Sequence, residues 1–539
     1  MPSMSMDVPL TIPAILRRLG THFGDKTVVS RRGAGALHQT TYREILTRAG
    51  QLAGALRGLG IGAGDRVATL SWNHDRHLEA YYAIPGMGAV LHTLNLRLHA
   101  DELAFIASDA GDRILIVDDD LLPLAQSFLA RTPIERVIVV RTSDAPLPAG
   151  MLDYEAVLAA ADPIALDADV AEGSAAAMCY TSGTTGRSKG VVYSHRAIAL
   201  HSLSLGLTDS FGLREADTVL PVVPMFHANA WGLPFGVAIV GANLVLPGRQ
   251  LDAPSVRDLL ASQRVTFTAG VPTVWNSLLQ LLDAEPGAAD LSALRTMLVG
   301  GAAVPESLLR GFDERHGLEI VHAWGMTELA PFGTIARLPS RLAKASADVR
   351  YRYRATQGTP APFIEIRARN EQGMVPWDGE AMGELEIRGP WVAAGYHGSG
   401  VGGPSFTEDG WFRTGDIVAI DPFGGIEIRD RAKDLVKSGG EWISSVALEN
   451  RLMNHPDVLE AAVIAVPHPR WQERPLAAVV LKEGREVSVE ALLAWLADGV
   501  PRWWVPDALV FIEAIPRTST GKFLKTALRE CYQGWYTSA

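Results

Sequence analysis

The first 170 residues alternate short β-branched runs with longer segments of helical spacing, and that alternation limits the fold more than any other feature of the chain. Arg66-Val-Ala-Thr-Leu-Ser-Trp72, Ala89-Val-Leu-His-Thr-Leu94, Arg113-Ile-Leu-Ile-Val117 and Arg136-Val-Ile-Val-Val140 have the length and composition of strands. Residues 42–59 and 101–109 carry helical patterns near or between them. Such alternation predicts βαβ units and largely parallel sheets. The rhythm returns from Val265-Thr-Phe-Thr268 to Leu298-Val299, and no repeat of solenoid period is present. Past residue 383 the texture changes. Gly383-Glu-Leu-Glu-Ile-Arg388, Asp416-Ile-Val-Ala-Ile420 and Ile426-Glu-Ile-Arg429 read as a small β-subdomain with Gly-rich turns. From about Lys433, helices (446–453, 489–497) mix with strands (461–466, 477–481), enough for a separate α+β domain. The expected architecture is α/β: a large N-terminal domain, 1–432, holding two βαβ-type sheets and the β-subdomain, and a small C-terminal domain, 433–539.

Composition excludes several classes. Of 539 residues, 47% are hydrophobic and 20% charged, too apolar for a disordered chain. A net charge of −11 argues against a nucleic-acid binder that leans on a broad basic surface. The two cysteines, Cys179 and Cys531, lack CxxC partners, which excludes a disulfide framework and favours a reducing compartment. Residues 1–10 show no basic segment followed by an apolar one, so no secretory signal is expected. The most apolar window, 231–248, contains two prolines and four glycines and reads as buried core, not a membrane span. A cytoplasmic protein is expected.

The strongest local signal is Thr181-Ser-Gly-Thr-Thr-Gly-Arg-Ser-Lys-Gly190, between the apolar run Ala175-Ala-Ala-Met-Cys-Tyr180 and Val191-Val-Tyr-Ser194. Glycines let backbone N–H groups approach phosphate oxygens, hydroxyls add donors, and Lys189 supplies a point charge. It is not a Walker A loop, because the GK[ST] ending is absent. Most Ser/Thr/Gly stretches are only solvated loops. The lysine after the second glycine, between two strands, favours an anion.

Four further constellations follow in order. Val321-His-Ala-Trp-Gly-Met-Thr-Glu328 combines an aromatic, a glycine and an acid, suited to a base, close backbone approach and a Mg²⁺ ligand. Trp411-Phe-Arg-Thr-Gly-Asp416 sets a carboxylate after a tight turn, where it could accept ribose hydroxyls. Asp430-Arg-Ala-Lys-Asp-Leu-Val-Lys-Ser-Gly-Gly-Glu-Trp442 is charge-dense and then glycine-rich, and alone would be a solvated loop. Pro516-Arg-Thr-Ser-Thr-Gly-Lys522 presents a lysine on a Thr/Gly turn.

Together these motifs resemble the adenylate-forming superfamily of acyl-CoA synthetases, firefly luciferase and peptide-synthetase adenylation domains, over nearly the whole chain. Pro224-Met-Phe-His-Ala-Asn-Ala-Trp231 and Lys437-Ser-Gly-Gly-Glu-Trp-Ile-Ser-Ser445 narrow the resemblance to bacterial medium- and long-chain fatty-acid–CoA ligases. The resemblance implies that Thr181, Ser182, Gly183, Thr184, Thr185, Gly186 and Lys189 close on the β- and γ-phosphates of ATP. It implies that Glu328 is a Mg²⁺ ligand with Thr327 on the α-phosphate. Gly301, Ala302 and Ala303 with His322, Ala323, Trp324, Gly325 and Met326 would form the adenine pocket, and Asp416 and Arg431 the ribose contacts. Trp324 replaces the commoner tyrosine and keeps an aromatic face. Lys522 would catalyse adenylation with Lys189, Thr181, Glu328 and His227. A mobile C-terminal domain would then turn about Lys433, so that Ser438, Gly439, Gly440, Glu441 and Trp442 line the path of CoA.

His227 and Trp231 fall, by the same resemblance, on the wall of the acyl site, and Trp231 aligns with a tunnel gate of a long-chain member. A histidine here, where amino-acid-activating relatives place an aspartate nearby, favours an uncharged acyl tail. The expected reaction is ATP-dependent acyl-CoA ligation through an acyl adenylate. Fatty acids of medium to long chain are the first expectation, and short (3-methylthiopropionate-type) or aryl acids stay open. Three rivals are a carrier-loading adenylation enzyme, a luciferase-like oxygenase, and a binding protein with a degenerate site. With 17 residues after Lys522 no fused carrier domain is expected, and the intact Lys189, Glu328, Asp416 and Lys522 count against a mere binder. A homodimer is left open.

Overall fold

The computed structural model describes residues 5–33, 35–143, 145–181, 187–439, 441–517 and 523–536. The expected alternation forms two large sheets. One has seven strands in the order Leu152–Asp153, Arg136–Val140, Ile114–Asp118, Arg66–Leu70, Val90–Thr93, Ala175–Tyr180 and Gly190–Ser194. Its first six strands run parallel and the last is antiparallel. The other has nine strands, and at its centre Ile320–Gly325, Thr296–Val299, Phe267–Gly270 and Thr218–Pro221 lie side by side and parallel. The strand expected from Val265 begins two residues later. The Val265 N–H closes the preceding helix onto the Leu260 carbonyl (3.0 Å), and Arg264 turns with φ +47°.

Local chemistry sets the element ends. Helix Tyr42–Gly58 starts at a capping box: the Glu44 N–H donates to Thr41 Oγ1 (3.3 Å), and the Thr41 N–H to the Glu44 carboxylate (2.9 Å). The apolar window 231–248 contains helix Leu233–Val240 and strand Asn243–Leu246, most of whose residues are buried in the core. Among the described residues no helix is long and apolar enough to cross a membrane.

The β-subdomain is a five-stranded antiparallel sheet that includes Met382–Arg388, Phe412–Ile420 and Ile426–Arg431. The C-terminal part pairs Val458–His468 with Gln472–Leu481 and adds Ala508–Phe511 in parallel. Helices Ser445–Met453, Val489–Ala497 and Lys525–Tyr532 accompany this sheet.

Core membership divides these parts unequally. One apolar cluster contains Val28 of the nine-stranded sheet, Val67 and Leu91 of the seven-stranded sheet, and Leu385 and Ile420 of the subdomain. Two other clusters, running from Val436 to Leu509 and from Ala462 to Leu528, hold only residues from 436 onward.

Candidate active site

In a parallel sheet ligands collect beyond the carboxyl ends of strands. The four central strands of the nine-stranded sheet obey this rule, delivering Val222–Trp231, Val271–Val274, Gly300–Glu306 and Met326–Glu328 to one cavity of about 1520 Å³. The seven-stranded sheet adds Thr181, Arg187, Ser188 and Lys189 from the end of strand Ala175–Tyr180. The subdomain contributes Asp416, Asp430 and Arg431, and the C-terminal part closes the cavity with Glu449, Arg517, Phe523 and Lys525.

The two ends of the phosphate-type loop are tied together. The Thr181 N–H donates to the Lys189 carbonyl (3.0 Å), and the Lys189 N–H donates to Thr181 Oγ1 (3.1 Å). Ser182, Gly183, Thr184, Thr185 and Gly186 lie outside the described residues. Arg187 stacks over Phe105 (4.8 Å), and the Ser188 N–H donates to Glu102 (3.3 Å). The Lys189 ammonium stands 4.7 Å from the centre of the Tyr396 ring. The Tyr396 hydroxyl in turn donates to Glu328 Oε1 (2.7 Å), and the Tyr193 hydroxyl donates to the Thr327 carbonyl (2.7 Å). Burial, then the adjacent Glu328 carboxylate, push the Tyr396 phenol up, so it stays a proton donor. Lys189 and Glu328 thus meet the two sides of one tyrosine.

Asp416 is 1% exposed, yet it lines the cavity. Trp324 Nε1 donates to its Oδ2 (3.1 Å), and Arg431 Nε lies 2.7 Å from its Oδ1. The ring of Trp324, expected as a stacking face, therefore also anchors the carboxylate. His322 Nδ1 lies 3.1 Å from the Ala355 carbonyl, and burial lowers this histidine to about 4. It is neutral at pH 7 and carries its proton on Nδ1, because a carbonyl only accepts. Two glycines here are required by geometry. Gly301 has φ +85°, and a Cβ on Gly325 would lie 1.6 Å from the Pro331 carbonyl oxygen.

His227 and Trp231 border the cavity on a segment of unusual backbone. Ala228, Asn229, Ala230 and Trp231 all have positive φ, between 43° and 57°. A left-handed turn of non-glycine residues costs roughly 1–2 kcal/mol per residue, so surrounding contacts must enforce it. Asn229 helps supply them: its buried Oδ1 accepts from Cys179 Sγ (3.4 Å) and lies 3.3 Å from the Tyr81 hydroxyl, which donates to the Met225 carbonyl.

The cavity brings together Thr181, Lys189, His227, Trp231, Gly301, Ala302, Ala303, His322 to Glu328, Asp416, Arg431 and Lys433. Ser438 and Gly439 are not among its lining residues. The Ser438 hydroxyl accepts from Arg474 (3.3 Å), and the Gly439 N–H donates to the Trp471 carbonyl (2.8 Å). Trp442 lies off the cavity as well. Gly440, the Glu441 side chain and Lys522 lie outside the described residues, though Arg517 and Phe523, bridged to each other on either side of 518–522, both line the cavity. Sequence reasoning missed Tyr396, which comes from the two-residue strand Gly395–Tyr396 and carries no periodic signal. It also missed Asp430, Glu449 and Lys525.

Among the described residues no three His, Cys, Asp or Glu side chains gather as a metal cage. A buried carboxylate beside the loop lysine suits Mg²⁺, which keeps several waters and takes its other ligands from phosphate oxygens. Glu328 fits that donor set.

Comparison with known proteins agrees with this geometry. Residues 16–397 match the AMP-binding enzyme family, and residues 447–522 match the AMP-binding enzyme C-terminal domain. A long-chain-fatty-acid–CoA ligase of Thermus thermophilus is 50% identical over 100% of this chain and 98% of its own. A medium-chain-fatty-acid–CoA ligase of Ectopseudomonas oleovorans is 42% identical over 97% and 96%. The crystal structure of the anthranilate CoA ligase AuaEII with anthranoyl-AMP superposes with a TM-score of 0.86 at 26% identity, covering 98% of this chain and 99% of that one.

Proposed function

The chain belongs to the AMP-binding enzyme family, and on that premise we propose that it ligates medium- to long-chain fatty acids to CoA through an acyl adenylate. Acyl-CoA ligase chemistry is what its relatives share. The observation that carries the site reading is the single cavity in which the ends of the phosphate loop, Glu328, Asp416 and the residues flanking 518–522 converge.

In the first half-reaction a carboxylate oxygen attacks the α-phosphorus, an acyl–phosphate bond forms, and pyrophosphate leaves. Two anions must meet, so the barrier is electrostatic. Lys189 faces the leaving phosphates from the loop. Lys522, which lies in sequence between Arg517 and Phe523, offsets charge at the reacting phosphorus. Glu328 would hold Mg²⁺, which would supply charge neutralisation on the phosphates, with Thr327 beside it on the α-phosphate. Asp416, fixed by Trp324 and Arg431, accepts the ribose hydroxyls, and the adenine lies between Gly301 to Ala303 and the His322 to Met326 strand end.

In the second half-reaction the CoA sulfur, having lost its proton, attacks the acyl carbonyl and AMP leaves. The domain boundary falls at Lys433, where residues 433–539 turn to withdraw Lys522 and bring Ser438, Gly439, Gly440, Glu441 and Trp442 to the site. The acyl chain runs past His227 and Trp231. Val222, Val223, Phe226, Ala228 and Trp231 give that wall no acidic side chain, which supports an uncharged tail. The same reading places the protein in cytoplasmic lipid metabolism, with a homodimer as its assembly.

The test is pyrophosphate release with ATP, Mg²⁺ and carboxylic acids, run with and without CoA. The acids span propionate, 3-methylthiopropionate, benzoate and straight chains of roughly six to eighteen carbons, the range a deep apolar pocket discriminates. A CoA-stimulated maximum among the fatty acids is expected. A maximum at benzoate or a short acid would overturn the chain-length assignment, and release indifferent to CoA would point to another acceptor.

A further inference from the structure

Asp430 lies one residue from the end of strand Ile426–Arg431, just before Lys433, and its side chain is buried against the part of the chain that follows. Its Oδ2 accepts from the Ser445 N–H (2.5 Å), and its Oδ1 accepts from the Ser445 hydroxyl (3.0 Å) and from the Arg431 N–H (2.7 Å). Ser445 opens helix Ser445–Met453, so an N-terminal-domain carboxylate sits at the positive end of a C-terminal-domain helix. The Ser445 hydroxyl has one hydrogen. It spends that on Asp430 and accepts from Lys525 Nζ (2.6 Å), which also lies 2.6 Å from Glu449. Glu449 is fixed by the Val463 N–H (2.7 Å).

The four residues form one chain of contacts: carboxylate, hydroxyl, ammonium, carboxylate. Burial works against the Lys525 ammonium, but Glu449, Asp430 and Asp434 outweigh it and hold its pKa above the ordinary lysine value. Lys525 lies three residues past Lys522, at the head of helix Lys525–Tyr532. Whatever fixes its ammonium also fixes the head of that helix beside the cavity. Three links of this chain, Ser445, Glu449 and Lys525, belong to the C-terminal part and travel together. Asp430 alone is anchored in the subdomain sheet, paired through Ile417.

We propose that Asp430 is the positioning residue for the adenylation arrangement, clamping Ser445 and through it Lys525, so that the head of helix Lys525–Tyr532 is held at the cavity. The inference rests on the proposed two-state reading with its hinge at Lys433. When the parts turn, Lys525 and Glu449 keep each other, and Asp430 gives up its serine to water. The clamp is therefore selective for one state, at no cost to the other.

The test compares Asp430→Ala, Asp430→Asn and Ser445→Ala with the wild type, each first checked for an unchanged melting temperature of the N-terminal body. Acid-dependent ATP–pyrophosphate exchange should fall about 10-fold in Asp430→Ala, the order expected for losing a hydrogen bond to a charged group. It should fall less in Asp430→Asn, which keeps an acceptor for the Ser445 N–H. CoA-dependent consumption of supplied acyl adenylate should stay within about twofold of wild type, because the second state does not use the clamp. Without substrates, tryptic cleavage at residues 431–437, located by mass spectrometry, should accelerate in the same order of variants. Equal loss of both half-reactions, or unchanged exchange and cleavage in all three variants, would overturn the assignment. A wild type that exchanges with no acid would sink the proposed function instead, while the cleavage rates still judge the clamp.

Discussion

The floor of the cavity and its cover are joined to the molecule by different physics. The floor hangs from parallel strands whose side chains pack into two apolar clusters, one of them shared across three sheets. The cover, from Val436 onward, keeps its own two apolar clusters and meets the floor through polar groups: Asp430 with Ser445, and the Ser444 hydroxyl with the Arg429 carbonyl. Parting apolar surfaces costs free energy in proportion to area, whereas hydrogen-bonded charges regain water. The contrast fits a rigid binding floor and a cover that can be exchanged.

The largest expected effect probes the floor. Glu328→Gln keeps the shape and the Tyr396 contact and removes the charge, so acyl-adenylate formation should fall about 10²–10³-fold, the range for losing one preorganised electrostatic group. Single-turnover formation of acyl adenylate measures it, and a loss below tenfold would show that this carboxylate does not serve the reacting phosphates.

A pH series separates the two regions by sign. Burial lowers His77 to about 4, His201 to about 3 and His322 to about 4, all in the floor. Their folded pKa lies below the unfolded value near 6.5, so the stability they add is complete above that value and is lost as pH falls through about 4. From pH 6 to pH 5 the floor should lose roughly 1 kcal/mol per histidine. In the cover, burial pushes Glu449 up to about 7, above its unfolded value near 4.5. Its contribution is complete below the unfolded value and disappears as pH rises through 7. Protection from hydrogen exchange, taken relative to the intrinsic rate at each pH, should therefore move in opposite directions in strands Ile320–Gly325 and Val458–His468 as pH falls from 7.5 to 5.5. Parallel movement would contradict the assignment.

The smallest effect concerns Trp324. Trp324→Phe keeps an aromatic face and deletes the donor to Asp416, so KM for ATP should rise about 5-fold, equivalent to about 1 kcal/mol, with kcat little changed. An unchanged KM would show that Asp416 needs no anchor beyond Arg431.

What the sequence disclosed follows the same division. Strands such as Arg136–Val140 and the ends of the phosphate loop are written in local pattern, because composition and turn chemistry act over a few residues. Thr181, Glu328 and Asp416 were legible as motifs for that reason. The left-handed turn Ala228–Trp231 was not, since nothing in Ala-Asn-Ala-Trp requires positive φ until Cys179 engages Asn229 and Tyr81 ties down the Met225 carbonyl. Asp430 reads in sequence as one charge in a solvated loop, and only the return of Ser445 and Lys525 buries it. Tyr396 stayed hidden because its role, between Lys189 and Glu328, exists only where three distant segments meet.

The most direct measurement is the pair of half-reactions in Lys522→Ala. With ATP, Mg²⁺ and the best acid of the panel, acyl-adenylate formation should fall by at least about 10²-fold, the loss typical of one preorganised charge. Supplied acyl adenylate should still pass to CoA within a few-fold of the wild-type rate if, as proposed, the cover turns to present its other face in that step. Equal loss of both steps would contradict a fixed floor served by an exchangeable cover.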